Sequence, residues 1–335
     1  MRTTFIAAFL LTALPLSAAT LLVANKSDHT VDLVDPATGT SRARLATGHA
    51  PHEIAVSPDG KTAVVANYGD REKPGSTLTV VDVTKAKVVR TIDLAPHTRP
   101  HGVAWIDANR LAVTTEGSRS LLVVDVSAGK VTHAIATGAE VSHMVALAAD
   151  RAFVANIGSG SVTVIDLASG KKLRDVETGA GAEGIAVRPG TREIWVTNRA
   201  ADTLSVVDAA SLEVTATLEA TGFPIRIAFT PDGERALVSA ARSGEVILFD
   251  AGARRELRRA TLDLATAPDA AKRLFGDQFG ESPVPVGLLV APDGKTAYVA
   301  ATQADAVVVI DTETLAVRNL LRAGREPDGM ALSSR

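Results

Sequence analysis

The stretch HEIAVSPDGKTAVVAN, His52 to Asn67, decides the fold once it is followed through TLTVVD (Thr77–Asp82) to VVRTIDL (Val88–Leu94). It reads as four short apolar strands, a to d, punctuated by turn residues. Pro58-Asp59-Gly60 between a and b recurs as Pro231-Asp232-Gly233 and Pro292-Asp293-Gly294. Proline presets φ, and glycine supplies the positive φ such a turn needs.

Outward from this unit the chain repeats it. Strand c ends in Asp seven times, at Asp35, Asp82, Asp125, Asp166, Asp208, Asp250 and Asp311, at spacings of 47, 43, 41, 42, 42 and 61 residues. Recurrence in every unit makes this Asp a turn residue whose carboxylate accepts backbone N–H groups. Strand a starts at His52, His101, His143, Glu183, Ile225, Val286 and Asp328, each 17 to 19 residues after a marker Asp except Val286, which follows by 36. A period near 42 residues with four strands is the signature of a β-propeller. The chain opens on a strand of type b (Leu21–Asn25) and finishes on one of type a (Asp328–Leu332). One blade is therefore completed by both termini, which leaves no free sheet edge. The expectation is an all-β, seven-bladed propeller of four-stranded antiparallel blades, one domain over residues 20–335.

The units SPDGKTAVVANYG, REIWVTNRAADTLSVVD and APDGKTAYVAATQADAVVVID resemble the YVTN-type repeat family, the YncE-like and surface-layer-like exported propellers. The resemblance runs from about Leu21 to Leu332. It implies a seven-bladed exported protein, and relatives of the fold bind haem d1, quinone cofactors, metals or other proteins. The motif speaks to fold and hardly at all to function.

Composition agrees. Among 335 residues 46% are hydrophobic, enough for a large core, and the net charge is −3 from 35 basic and 38 acidic residues. No broad basic face is present to displace counterions, so nucleic-acid binding is not expected. Arg2, the apolar run Phe5–Leu16 and Ser17-Ala18-Ala19 read as a cleavable leader over residues 1–19, hence a periplasmic or secreted protein. No later apolar run is long enough to insert in a membrane. Cysteine is absent, which excludes disulfides and thiol chemistry.

Strand a lies nearest the propeller axis, so its first residues stand at the mouth of the central tunnel. Three of the seven histidines in the chain, His52, His101 and His143, occupy this position in successive blades, and Glu183 follows. Three imidazoles and a carboxylate are a competent set for one Zn, Cu or Fe ion. A solvated ring of polar residues lining the tunnel explains the same pattern. Glu53 and Arg226 replace the glycine that Gly102, Gly184, Gly287 and Gly329 supply next in strand a, and Asp328 completes the ring. The ends of strand b supply Asn25, Asn67, Glu116, Asn156 and Asn198, which could orient a ligand or serve the turns. Arg226 and Arg99 could pair an anionic substrate or a ring carboxylate, and a solvent-facing Arg99 is equally compatible. About nineteen extra residues between roughly 265 and 285 read as a short helix starting near Asp269 and stopping at Gly276. Phe275 and Phe279 would let this insertion overhang the mouth as a lid; simple packing on the rim is the other outcome.

Other motifs fall away. Gly179 to Gly184 matches G-x-G-x-x-G but precedes a strand, and no P-loop or G-x-S-x-G elbow occurs. Two functions remain. One is a binding propeller that takes a metal or small ligand at the tunnel, or presents its loop face to a protein partner. The other is a metal-dependent enzyme, a lyase, lactonase or oxidoreductase, in which Glu183 is a fourth ligand or general base and Arg226 an anion clamp.

Overall fold

In the computed structural model, which describes residues 19–273 and 275–335, seven four-stranded antiparallel sheets form the blades of a propeller. The leader reading of residues 1–19 lies almost wholly outside the described residues. Blade 1 comprises Pro51–Val56, Thr62–Gly69, Pro74–Asp82 and Lys87–Asp93 as strands a to d, and blades 2 to 6 follow in chain order. In blade 7 the C-terminal strand Pro327–Ser333 is strand a, beside Thr20–Asn25, Thr30–Val34 and Ser41–Ala46. The register Leu21↔Leu332 and Leu22↔Ala331 joins the two ends of the chain, as the repeat phase requires.

Burial explains why strands b and c read as unbroken apolar runs. Ala63–Asn67 and Leu121–Val124 are buried on both faces because each blade is covered by a neighbour on either side. The core thus lies between blades: Val64, Leu78 and Val80 of blade 1 pack on Leu111, Val113 and Leu122 of blade 2. Trp195 fills the seam between blades 4 and 5, edge-on to Phe229 at 5.5 Å and Phe249 at 6.4 Å. Strand d is outermost and mostly exposed, as in Lys87–Asp93. All seven marker Asp side chains accept backbone N–H groups in the c–d turn, for example Asp125 Oδ1 from Ala128 at 2.7 Å and Asp311 Oδ1 from Thr314 at 2.7 Å.

One local device positions the site. In blade 1 Pro51 pairs with Asn67 and Ile54 with Val65, so His52 and Glu53 together oppose a single residue of strand b. The same register shift occurs in all seven strands a. Such a bulge re-aims side chains out of the sheet. The residue just before each strand a is left-handed, from Ala50 (φ 45) and Arg99 (φ 58) around to Glu326 (φ 55). Its carbonyl accepts the N–H of the residue that follows strand b, as in Tyr68 N to Ala50 O at 3.1 Å and Glu116 N to Arg99 O at 3.0 Å. The second bulge residue presses on the next blade. A Cβ on Gly287 would lie 1.9 Å from the Asp328 carbonyl oxygen, which is why glycine is preferred there.

The insertion corrects the sequence reading. Among its described residues it holds a 3-10 turn, Ala270–Lys272, instead of a helix from Asp269 to Gly276. Asp269 does not cap that turn. Its carboxylate takes the Arg273 guanidinium at 2.6 Å, and Arg273 also bonds Asp305 and the Thr302 carbonyl, pinning the segment to blade 6. Among the described residues no helix is long and apolar enough to cross a membrane.

Candidate functional site

The bulges place His52, His101, His143, Glu183, Ile225, Val286 and Asp328 in one ring, all buried. Successive histidines touch: the ring centroids of His52 and His101 are 5.2 Å apart, and those of His101 and His143 3.6 Å. A second ring, one residue beyond strand b, lies against the first. It contains Lys26, Tyr68, Glu116 and Arg199 in blades 7, 1, 2 and 4. Lys26 Nζ sits 3.3 Å from Asp328, Tyr68 stacks on His52 at 4.4 Å, and Arg199 bonds Glu183 at 2.6 Å.

Glu116 is the residue that changes the sequence-derived site. The repeat comparison set it in the asparagine column, but Thr115 occupies that place and Glu116 is one residue further on, turned to the axis. Its Oε1 accepts from His143 Nδ1 at 2.5 Å and its Oε2 accepts from the Tyr68 hydroxyl at 2.5 Å. One donor atom from each of His101, Glu116 and His143 falls within 4.8 Å of the others. Among the described residues this is the only such cluster. Nδ1 of His101 is buried with no hydrogen-bond partner.

The other expected ligands are differently engaged. His52 Nδ1 bonds the Ala50 carbonyl at 3.0 Å. Glu183 is drawn between Arg199 at 2.6 Å and Arg226 at 3.3 Å, with His143 Nε2 also 3.3 Å away but off the hydrogen-bond axis. Arg226 spans the tunnel to Glu53 at 2.6 Å, so both its arms are taken by carboxylates of the protein itself. The amides of Asn67, Asn156 and Asn198 tie strand b to the blade: Asn67 reaches Thr77 and Thr79, Asn156 reaches Ser161 and Thr163, and Asn198 reaches Thr203 and Ser205.

The charges in this layer set one another. Burial alone would raise Glu183, but His143, Arg199 and Arg226 outweigh it and bring it down to about 2. Burial also opposes the ionised form of Glu116, and the bonds from His143 and Tyr68 overcome it, leaving Glu116 below its ordinary value. His143 is raised although burial pulls it down, because carboxylates flank both ring nitrogens. His52 falls to about 4 through burial and the nearby Lys26, and His101, buried between two other imidazoles, falls well below the usual range. Burial with the Glu116 charge pushes Tyr68 up to about 12. Glu53 is raised by burial and by Asp328 despite Arg226.

The rest of the rim is apolar. Ile225 and Val286 occupy the ring positions of blades 5 and 6, and Phe279 of the insertion packs on them together with Phe275 and Phe223. The insertion therefore roofs the apolar arc, while a cavity of about 800 Å³ stays open over the polar arc, walled by Lys26, His52, Tyr68, Arg99 and, from the insertion, Lys272. Chemically the mouth offers imidazole and carboxylate donors and a set of fixed charges.

The model for YncE-like β-propellers matches residues 5–94 and 94–274. Among solved structures, a protein of unknown function from Desulfotomaculum acetoxidans is 13% identical, with a TM-score of 0.77 over 94% of this chain and 98% of that one. Hydrazine synthase of Kuenenia stuttgartiensis is 21% identical, with a TM-score of 0.69 over 92% of this chain and 99% of that one. At these identities the likeness is one of fold alone. No curated protein matches the sequence.

Proposed function

We propose that this chain, which belongs to the YncE-like β-propeller family, is a binding propeller whose tunnel mouth takes one transition-metal ion through His101, Glu116 and His143. The observation that carries the reading is the cluster itself, one donor atom from each of His101, Glu116 and His143 within 4.8 Å of the others, in a ring where Nδ1 of His101 is also buried without a partner. A buried polar atom without a partner is costly, and a cation satisfies it. Tetrahedral ligands about 2.1 Å from an ion stand about 3.4 Å apart, so small side-chain rotations close the set. Two imidazoles and a carboxylate suit Zn, Cu or Fe. Glu183, 3.3 Å from His143 Nε2, adds a second carboxylate charge beside the set, as supporting carboxylates commonly do near metal-ligating histidine. The leader-like first nineteen residues support work in the periplasm or outside the cell.

The test is elemental analysis of protein purified without a tag from the periplasm, wild type beside Glu116→Gln and His101→Ala. About one ion per wild-type chain, lost in both variants while the fold is kept, is the expected result. Wild type that holds no zinc, copper or iron even after incubation with each would overturn it. The adjoining cavity of about 800 Å³ favours a second reading, a metal-dependent lyase, lactonase or oxidoreductase. Turnover abolished by Glu116→Gln would establish that reading over simple binding.

A further inference from the structure

We infer that the cavity above the tunnel mouth binds a small oxyanion, a carboxylate or phosphate group, through Arg99 with help from Lys272. This deepens the reading of the mouth as a ligand site by naming the class of molecule it takes, and it rests on that reading but not on the metal.

Most cations around the mouth already have carboxylate partners. Arg226 is held by Glu53 and Glu183, Arg199 by Glu183, Lys26 by Asp328, and Arg273 by Asp269 and Asp305. Of the cations that line the cavity itself, Lys26 and Arg273 are thus held, while Arg71, Arg99 and Lys272 have no carboxylate within ion-pair distance among the described residues; Arg71 is exposed on its loop, whereas Arg99 is seated on a ring of the wall. The Arg99 guanidinium lies 5.3 Å over the Tyr68 ring, which is itself stacked on His52 at 4.4 Å. A guanidinium resting on an aromatic face still presents its N–H fork at the edge, the geometry that takes an oxyanion in two bonds. Position is fixed by the scaffold: Arg99 is the left-handed residue before strand a, and its carbonyl accepts the Glu116 N–H. Of the carboxylates that share the wall, Glu72 stands exposed on its loop and the other two are occupied. Asp70 bonds His49 at 2.6 Å and two backbone N–H groups, and Glu326 bonds the Ser27 hydroxyl. Free positive charge in a concave site concentrates anions there.

Titration calorimetry at low ionic strength with inorganic phosphate and with benzoate tests this, on protein stripped by chelator and on protein reloaded with zinc. Saturable binding of at least one probe near one site per chain is expected in both states, phosphate alone marking an inorganic-type ligand and benzoate an organic carboxylate. Arg99→Gln should weaken it at least tenfold and Lys272→Gln several-fold, with Lys295→Gln on the opposite face as the unchanged control. Arg99→Lys, which keeps the charge and loses the fork, should fall between. Binding of neither probe in either state would overturn the inference and leave a metal site standing. So would binding that appears only with zinc and survives Arg99→Gln, since the anion would then be a metal ligand. Stripped protein that binds through Arg99 supports the inference even where the metal content test fails.

Discussion

Replacing Arg226 by methionine should be among the most damaging single changes in the tunnel. The side chain is 6% exposed, and its two arms meet Glu53 at 2.6 Å and Glu183 at 3.3 Å. Two unit charges at ~4 Å interact by about 4 kcal/mol at an effective dielectric near 20, and desolvation of all three groups offsets much of the total. Removing one partner is different, because two buried carboxylates stay behind; such changes cost ~3–5 kcal/mol. Glu183 keeps Arg199 and His143, whereas Glu53, already raised by burial, loses its ion-pair partner and can relax by taking a proton. We therefore expect about 3 kcal/mol at pH 7.5, or roughly 4 °C in Tm for a chain of this size. The sign with pH follows. With Glu53 raised further above the unfolded carboxylate value of about 4.3, the deficit is full at high pH and shrinks as pH falls through the folded pKa. Denaturant unfolding of wild type and Arg226→Met at pH 7.5 and 5 reads both quantities, and the double variant with Glu53→Gln should recover at least half of the loss. A deficit under 1 kcal/mol, or one that ignores both pH and the second substitution, would show that the Glu53–Arg226 pair does not hold the tunnel together.

Three further outcomes follow from the structure. Gly287→Ala should lose ~1–3 kcal/mol by overpacking, because the new Cβ meets the Asp328 carbonyl; denaturant midpoints check it, and an unchanged midpoint counts against the close approach. Acid should weaken the fold between about pH 4 and 2, since Asp107 and Asp311 are held at about 2 by backbone N–H bonds and the other six marker aspartates are lowered likewise. Depressed carboxylates stabilise above the unfolded pKa near 3.9 and stop doing so below the folded one, so a flat stability profile across that window would contradict the turn account. Phe279→Ala removes the anchor between the insertion and Ile225, Val284 and Val286. Limited proteolysis should then cut within residues 266–283 several times faster than in wild type, and equal rates would show that the polar ties through Arg273, Gln303 and Ser282 hold the segment without it.

The blades and the first ring were legible because they repeat. A column of seven equivalent positions reveals its exceptions, and His52, His101 and His143 stand out against Ile225 and Val286 for that reason. The second ring was hidden by a one-residue slip. Asparagine ends strand b in four blades and serves as the visible marker, but blade 2 has Thr115 there, so Glu116 was aligned one place early and its partnership with His143 was lost. Reading the residue after that marker in every blade would have exposed Lys26, Tyr68, Glu116 and Arg199 together. No alignment of repeats could pair Arg226 with Glu53, which are 173 positions apart and meet only because the ring is narrow enough for a side chain to cross it. Nor could local propensity foresee that Arg273 would reach Asp305 and the Thr302 carbonyl of blade 6 and fasten the insertion there.

The account stands or falls on the mouth of the tunnel. Anomalous diffraction from crystals of zinc-loaded protein should show one ion bounded by His101, Glu116 and His143, with nitrogen ligands at about 2.0–2.1 Å. Zinc held instead by His52 or Glu183 without Glu116, or no ordered ion anywhere in the ring at full zinc loading, would contradict it.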